Sequence, residues 1–155
     1  MRKYRNQDKE LIIKMIDSIY QEYGDSIYLQ DADSDLLDIE ANYLNHGEFW
    51  VATSDDDTQV IGCIAIKPGE QNNIAWLKRF YLLPEFRGSG IAHEMHDTAI
   101  QWCSKNGITE VHLWSDTRFK RAHLFYQKNS YQLTGIRDMN DGAMPYQEYH
   151  FLKSL

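Results

Sequence analysis

Hydrophobic residues in the first quarter of the chain recur at helical spacing. Apolar positions three and four apart run from Leu11 to Tyr23, which predicts an amphipathic helix. Asp8 stands where a helix cap is expected, and Gly24 stands where a helix stop is expected. The apolar residues around Leu36–Ile39 predict a second, short helix.

Further along, the period of the pattern changes to that of strands. A weak strand near Arg2–Tyr4 opens the chain. After the two helices come a hairpin of strands 49–53 and 60–66, strand 74–83, helix 90–105, strand 111–114, helix 117–128, and strands 131–137 and 146–152. The order β-α-α-β-β-β-α-β-α-β-β predicts a mixed α/β fold with a central, mostly antiparallel sheet flanked by helices. With 155 residues, we expect a single domain over 1–155.

Composition narrows the class of protein. Hydrophobic residues make up 43% and charged residues 25% of the chain, as in ordinary globular domains. No apolar run approaches the roughly 20 residues that span a bilayer, and the N-terminus is too polar for a signal peptide. We therefore expect a cytoplasmic protein without a membrane partner. Cys63 and Cys103 form no C-x-x-C pair, so we expect two buried free thiols.

The charges are distributed unevenly. The stretch 15–66 contains twelve acidic residues and no Lys or Arg, a formal charge of −12, whereas the rest of the chain carries +5. The net charge of −7 disfavours a nucleic-acid partner. For most of these acids a solvated face is the simplest explanation. The alternative is that the two regions bind different ligands, a cation at one end of the molecule and an anion at the other.

A glycine-containing loop joins strand 74–83 to the following helix. Its glycines allow a ligand to approach the backbone, and the first N–H groups of a helix are unpaired donors that favour a phosphate. A dinucleotide fingerprint would need glycine at His93, and a P-loop would need Gly-Lys-Ser/Thr. An ordinary glycine turn is the alternative for an isolated motif. The residues expected to hold an anion are Arg87, Gly88, Ser89, Gly90, Ile91 and Ala92.

Two motifs in this half of the chain resemble the GNAT superfamily of N-acetyltransferases. Arg87, Gly90 and Ala92 match its signature Arg/Gln-x-x-Gly-x-Gly/Ala, and Ala122-x-x-x-Tyr126 matches its second signature helix. The resemblance implies a GNAT-like domain whose strands four and five splay apart. It also implies that acetyl-CoA is the co-substrate, with its pyrophosphate on the loop and its pantetheine arm in the gap between these strands.

The same resemblance implies a mechanism in which an amine attacks acetyl-CoA directly. A backbone N–H near Leu82 faces the thioester carbonyl, and Tyr126 donates a proton or a hydrogen bond to the departing thiolate. The alternative for Tyr126 is an aromatic residue packed in the core. The general base stays open between Asp116, Glu22, Glu148 and an ordered water, and Asp116 is also a good helix cap.

In this family the first two helices wall the acceptor site, and here they belong to the acidic stretch. We therefore expect a cationic primary amine, either a small molecule or a lysine-like peptide group, with Glu22 and Asp25 as its contacts. A non-catalytic acyl-CoA-binding module is the alternative function, and a homodimer stays open. No metal is expected, because Asp97 stands where H-E-x-x-H requires histidine. His93 and His96 are expected at the solvated surface.

Overall fold

A seven-stranded sheet organises the computed structural model, which describes residues 1–142 and 144–155. Three α-helices accompany it in the described residues: α1 (Lys9–Gln21), α2 (Ile91–Lys105) and α3 (Lys120–Lys128). The strands are β1 (Arg2–Lys3), β2 (Glu48–Thr53), β3 (Val60–Pro68), β4 (Ile74–Leu82), β5 (Glu110–Asp116), β6 (Gln132–Met139) and β7 (Tyr146–Ser154). Their spatial order is β1-β2-β3-β4-β5-β7-β6.

The pairing of β4 with β5 creates the gap on which the site depends. Every other pair of neighbouring strands is antiparallel, whereas β4 and β5 are parallel. Their ladder extends only from Ile74–Glu110 to Trp76–His112, and beyond it the two strands splay apart. The predicted mixed, mostly antiparallel sheet with splayed strands four and five is therefore confirmed.

The helices cover both faces of the sheet. Tyr81 of β4 contacts Tyr20 of α1, with ring centroids 5.8 Å apart. Its neighbour Phe80 contacts Phe125 of α3 at 5.4 Å. Because successive side chains of a strand point to opposite faces, α1 and α3 lie on opposite sides of the sheet. Helix α2 shares the α3 face, where His93 contacts Phe125 at 4.9 Å.

Both cysteines are fully buried free thiols, as predicted. Burial raises the pKa of Cys63 and of Cys103 to about 12, so both sulfurs stay protonated and unreactive near neutral pH. Within the described part of the chain, no helix has the length and apolar character needed to cross a bilayer.

Two helix predictions need correction. The second, short helix is instead a 3₁₀ turn at Ser34–Asp38 followed by a π-helical turn at Glu40–Leu44. At the start of this segment, the carboxylates of Asp33 and Asp35 bind the guanidinium of Arg79 on β4. This binding competes with regular helical geometry. Helix α3 begins at Lys120 and not at residue 117. The carboxylate of Asp116 accepts the backbone N–H of Arg118 at 2.8 Å and forms a turn before the helix.

Candidate active site

A cleft of about 870 Å³ passes through the gap between β4 and β5 and opens towards both faces of the sheet. Seven of the residues predicted to bind cofactor or substrate, or to act in catalysis, line it: Asp25, Leu82, Arg87, Gly88, Gly90, Ala92 and Tyr126. Glu22, Ser89 and Ile91 lie beside these residues without lining the cleft. One cavity therefore brings together both motifs on which the resemblance was based.

The loop between β4 and α2 presents unpaired backbone donors to the cleft. Gly88 and Gly90 have φ angles of +88° and +95°, a left-handed conformation that glycine adopts without strain. Among residues 1–142 and 144–155, no protein group accepts a hydrogen bond from the N–H groups of Gly88, Gly90 or Ala92. Three donors at the start of a helix suit an oxygen-rich anion.

Arg87 ties this loop to the end of α1. Its Nε donates to the carbonyl oxygen of Leu82 at 3.0 Å, and its two terminal nitrogens bind the carboxylate of Glu22 at 2.8 and 2.7 Å. The hydrogen bonds to Glu22 raise the pKa of Arg87 above its usual range. The guanidinium is already neutralised by an acid of the opposite wall, and its contact with a pyrophosphate stays a prediction.

Other residues of the acidic stretch are paired in the same way. Asp25 accepts from Nη2 of Arg118 at 2.7 Å. At least six of the twelve acids bind cations from outside the stretch: Glu22, Asp25, Asp33, Asp35, Glu48 and Asp57. At least half of the acids in this stretch are therefore paired where the stretch meets the rest of the fold.

Tyr126 has a buried ring and an unpaired hydroxyl group. Its ring packs against Tyr131 and Phe151, with centroids 5.5 and 5.4 Å away. Only 5% of the residue is exposed, and no described residue hydrogen-bonds to its Oη. Burial, with a smaller contribution from Tyr81, raises the pKa of Tyr126 well above its usual range. The phenol is thus held protonated in the cleft with a proton to donate.

A buried polar network lies beneath the α1 side of the cleft. Arg79 has a φ of +50° at a bulge of β4, where the register against Cys63 and Ala65 shifts. Its guanidinium binds Asp33 at 2.6 Å and also pairs with Asp35. These two acids are the groups that distort the segment predicted as the second helix.

The same network extends to the cleft through two tyrosines. The hydroxyl of Tyr20 donates to Asp33 at 3.2 Å and hydrogen-bonds the hydroxyl of Tyr81 at 2.9 Å. Burial raises the pKa of Tyr81 to about 12. The hydroxyl of Tyr81, where the network meets the cleft, is therefore uncharged near neutral pH. Nothing in the pattern of apolar residues predicted this network. Its one sequence signal is the pair of basic residues, Lys78 and Arg79, in the interior of β4.

Each carboxylate considered as a general base is bound to an arginine. Glu22 pairs with Arg87, Asp116 with Arg118, and Glu148 with Arg137. Each of these carboxylates would have to leave its guanidinium in order to reach the amine. Of the alternatives left open by the sequence, an ordered water is the one that is not held in an ion pair.

The environment of His96 contradicts the expected solvated surface. The residue is 3% exposed, and its Nε2 lies 3.1 Å from the hydroxyl of Tyr131. Burial lowers the pKa of His96 to about 4. Helix α2 turns this histidine towards α3 and the core, so it belongs to the packing of the fold and not to the cleft.

Comparisons with known proteins agree with this geometry. The model of the acetyltransferase (GNAT) family matches residues 13–131. N-acetyltransferase 8F1 from Rattus norvegicus is 35% identical over 109 residues, which are 67% of this chain and 48% of the rat protein. The chain thus spans about half the length of that relative.

Solved structures share the fold. A GNAT-family acetyltransferase from Staphylococcus aureus Mu50 superposes with a TM-score of 0.82 at 28% identity, covering 99% of this chain and 96% of that one. A GNAT acetyltransferase from Elizabethkingia anophelis, solved with acetyl-CoA bound, has a TM-score of 0.62 at 18% identity, covering 82% and 87%. At that identity the likeness shows the fold alone. Because the family model covers most of the chain, this protein belongs to the GNAT family of acetyltransferases.

Proposed function

We propose that this protein transfers an acetyl group from acetyl-CoA to a primary amine, a small molecule or a peptide group, by direct attack in a ternary complex. One observation carries the proposal: the unpaired hydroxyl of Tyr126 and the unpaired N–H groups of the glycine loop line the same cleft. The first group can donate a proton, and the second can hold an anion.

The cofactor would lie on the α2 and α3 side of the cleft. The N–H groups of Gly88, Gly90 and Ala92 would hold the pyrophosphate, with Ser89 and Ile91 completing the turn. The acetyl-CoA bound by the Elizabethkingia anophelis protein supports the assignment of the cofactor, since the two chains share a fold.

In the reaction, the amine nitrogen bonds to the acetyl carbon and the carbon–sulfur bond breaks. A backbone N–H near Leu82 would stabilise the negative charge on the carbonyl oxygen of the tetrahedral intermediate. Tyr126 would pass its phenolic proton to the departing thiolate, and solvent would restore it. The amine would lose its own proton to an ordered water.

The proposed acceptor is a primary amine. The cationic preference predicted from the sequence rests on the charge of the acidic stretch, with Glu22 and Asp25 as the expected contacts. Both carboxylates are bound to arginines, so a cationic amine would have to displace a guanidinium in order to reach them. The two expected contacts are thus occupied, and the preference stays a prediction from charge alone.

The test is release of CoA thiol from acetyl-CoA in the presence of an amine library, followed by mass spectrometry of the acetylated product. Calorimetric titration with CoA measures binding in the same preparation. CoA binding without amine-dependent thiol release would point to the non-catalytic acyl-CoA-binding module. Failure to bind CoA would contradict the assignment of the loop.

A further inference from the structure

Two lysines share the α1 side of the cleft. Lys67 of β3 is exposed and Lys78 of β4 is half-buried, and both line the cavity. In the β3–β4 ladder Lys67 faces Trp76, while Lys78 faces Ala65. The two lysines are therefore diagonal neighbours on one face of the sheet, with Cβ atoms about 7 Å apart.

Two arginines on this side are already paired with carboxylates, and the remaining acid accepts a hydrogen bond from a neutral group. Arg79 binds Asp33 and Asp35, and Arg137 binds Glu148. A further carboxylate that lines the cleft, Asp141, accepts the hydroxyl of Tyr146 at 2.8 Å. Within the described residues, no carboxylate comes within 4.0 Å of the ammonium of Lys67 or Lys78.

The surroundings of Lys78 make an unpaired ammonium costly. Burial, and then the nearby guanidinium of Arg79, lower the pKa of Lys78, while Glu148 and Asp35 act in the opposite direction and Arg137 adds repulsion. The ammonium lies 6.0 Å from the ring centroid of Trp76 but forms no ion pair with any described residue, and a half-buried cation of this kind gains from an anion that enters the site. Lys67 would attract the same anion from the rim of the cleft.

We infer that the acceptor amine carries a carboxylate, and that Lys78 binds this carboxylate while the amine reaches the thioester. The inference rests on the proposed acetyl transfer and replaces the cationic preference predicted from the sequence. Lys78 precedes Leu82 by four residues, so their Cα atoms lie at most about 13 Å apart along β4. The acceptor has to bridge a distance of this order, which fits an amino acid whose amine and carboxylate are several carbons apart.

The experiment uses matched amines of equal length. β-Alanine, γ-aminobutyrate and ε-aminocaproate are compared with their primary amides and with diamines of the same length. The kcat/KM of each is measured by thiol release for the wild-type protein, Lys78→Met and Lys67→Gln. Lys105→Gln, at the exposed end of α2, removes the same charge away from the cleft.

The wild-type protein should prefer the carboxylate to the amide by about 10–100-fold, as a hydrogen bond to a charged group allows. Lys78→Met should remove most of this ratio and leave the rate with the amide within about threefold. Lys67→Gln should reduce the ratio less, Lys105→Gln should preserve it, and Lys78→Arg should restore part of it.

A wild-type preference for diamines, or equal rates with carboxylates and amides, overturns the inference. So does a folded Lys78→Met variant that keeps the wild-type ratio, or activity with other amines but with none of this series. If Lys78→Met does not fold, Lys78→Gln and the wild-type ratios decide the question. If the proposed acetyl transfer itself is wrong, no amine of any charge releases CoA, and this result is distinguishable from failure of the carboxylate inference.

Discussion

Removing the hydroxyl of Tyr126 should slow catalysis without weakening the fold. In Tyr126→Phe the packed ring is retained, and no protein partner is left unpaired, because no described residue bonds this hydroxyl. We expect kcat to fall by about 10²-fold, the low end for general-acid catalysis, since a thiol with a pKa of about 8.5 is a fair leaving group. The free energy of unfolding should change by less than about 1 kcal/mol.

Tyr131→Phe is the matched control and should behave in the opposite way. The hydroxyl of Tyr131 lies 3.1 Å from Nε2 of the buried His96, so its loss leaves a buried nitrogen unpaired. This variant should lose about 1–3 kcal/mol of stability and keep its kcat.

Steady-state thiol release at saturating acetyl-CoA gives kcat, urea unfolding gives stability, and calorimetry gives the Kd for CoA, which should not change in either variant. A folded Tyr126→Phe variant that keeps the wild-type kcat would refute the general-acid role and leave this tyrosine as a core residue.

Three further predictions concern the loop, its ion pair and pH. Gly90→Val should raise the Kd for CoA in calorimetry at least about tenfold by distorting the donor loop; Gly107→Val, also at positive φ (+73°) but outside the cleft, should leave the Kd unchanged. Glu22→Gln should lower the Kd for CoA up to about fivefold if Arg87 must leave Glu22 to reach the pyrophosphate; an unchanged Kd would mean that Arg87 does not contact it. His96 has a folded pKa of about 4 against about 6.5 when unfolded, so the unfolded state binds more protons between these values. Stability should therefore fall by about 3 kcal/mol as the pH drops from 7 to 4, and His96→Gln should flatten this part of the urea-unfolding profile.

The sequence predicted the parts of the fold that depend on local pattern. The hydrophobic spacing predicted the strands and α1, and the glycines after Arg87 predicted the tight loop before α2, because backbone conformation there is set by neighbouring residues. Asn106–Gly107 likewise marked the end of α2 at Lys105. These features need no knowledge of distant contacts.

The contacts of charged side chains could not be predicted in this way. Arg79 and Asp33 are 46 positions apart, and only the folded sheet brings them together. The acidic segment after α1 was predicted as a helix from three apolar residues. Its conformation is instead set by the binding of Asp33 and Asp35 to Arg79. His96 shows the same limit, because its spacing from His93 suggested a solvated pair while the packing of α2 on α3 buries it.

The ion pairs of the folded protein change how the separation of acidic and basic residues along the sequence is interpreted. Glu22–Arg87 and Asp25–Arg118 join residues 65 and 93 positions apart, and each pair links the acidic wall to an element that carries a cofactor motif. The division of charge therefore helps to hold the two sides of the cleft together, and Glu22 and Asp25 are not free to attract a substrate. What selects a ligand in such a site is the charge that remains after pairing. On the α1 side that remainder includes the ammonium of Lys78, the group to which we assign the carboxylate of the acceptor even though the chain as a whole is acidic.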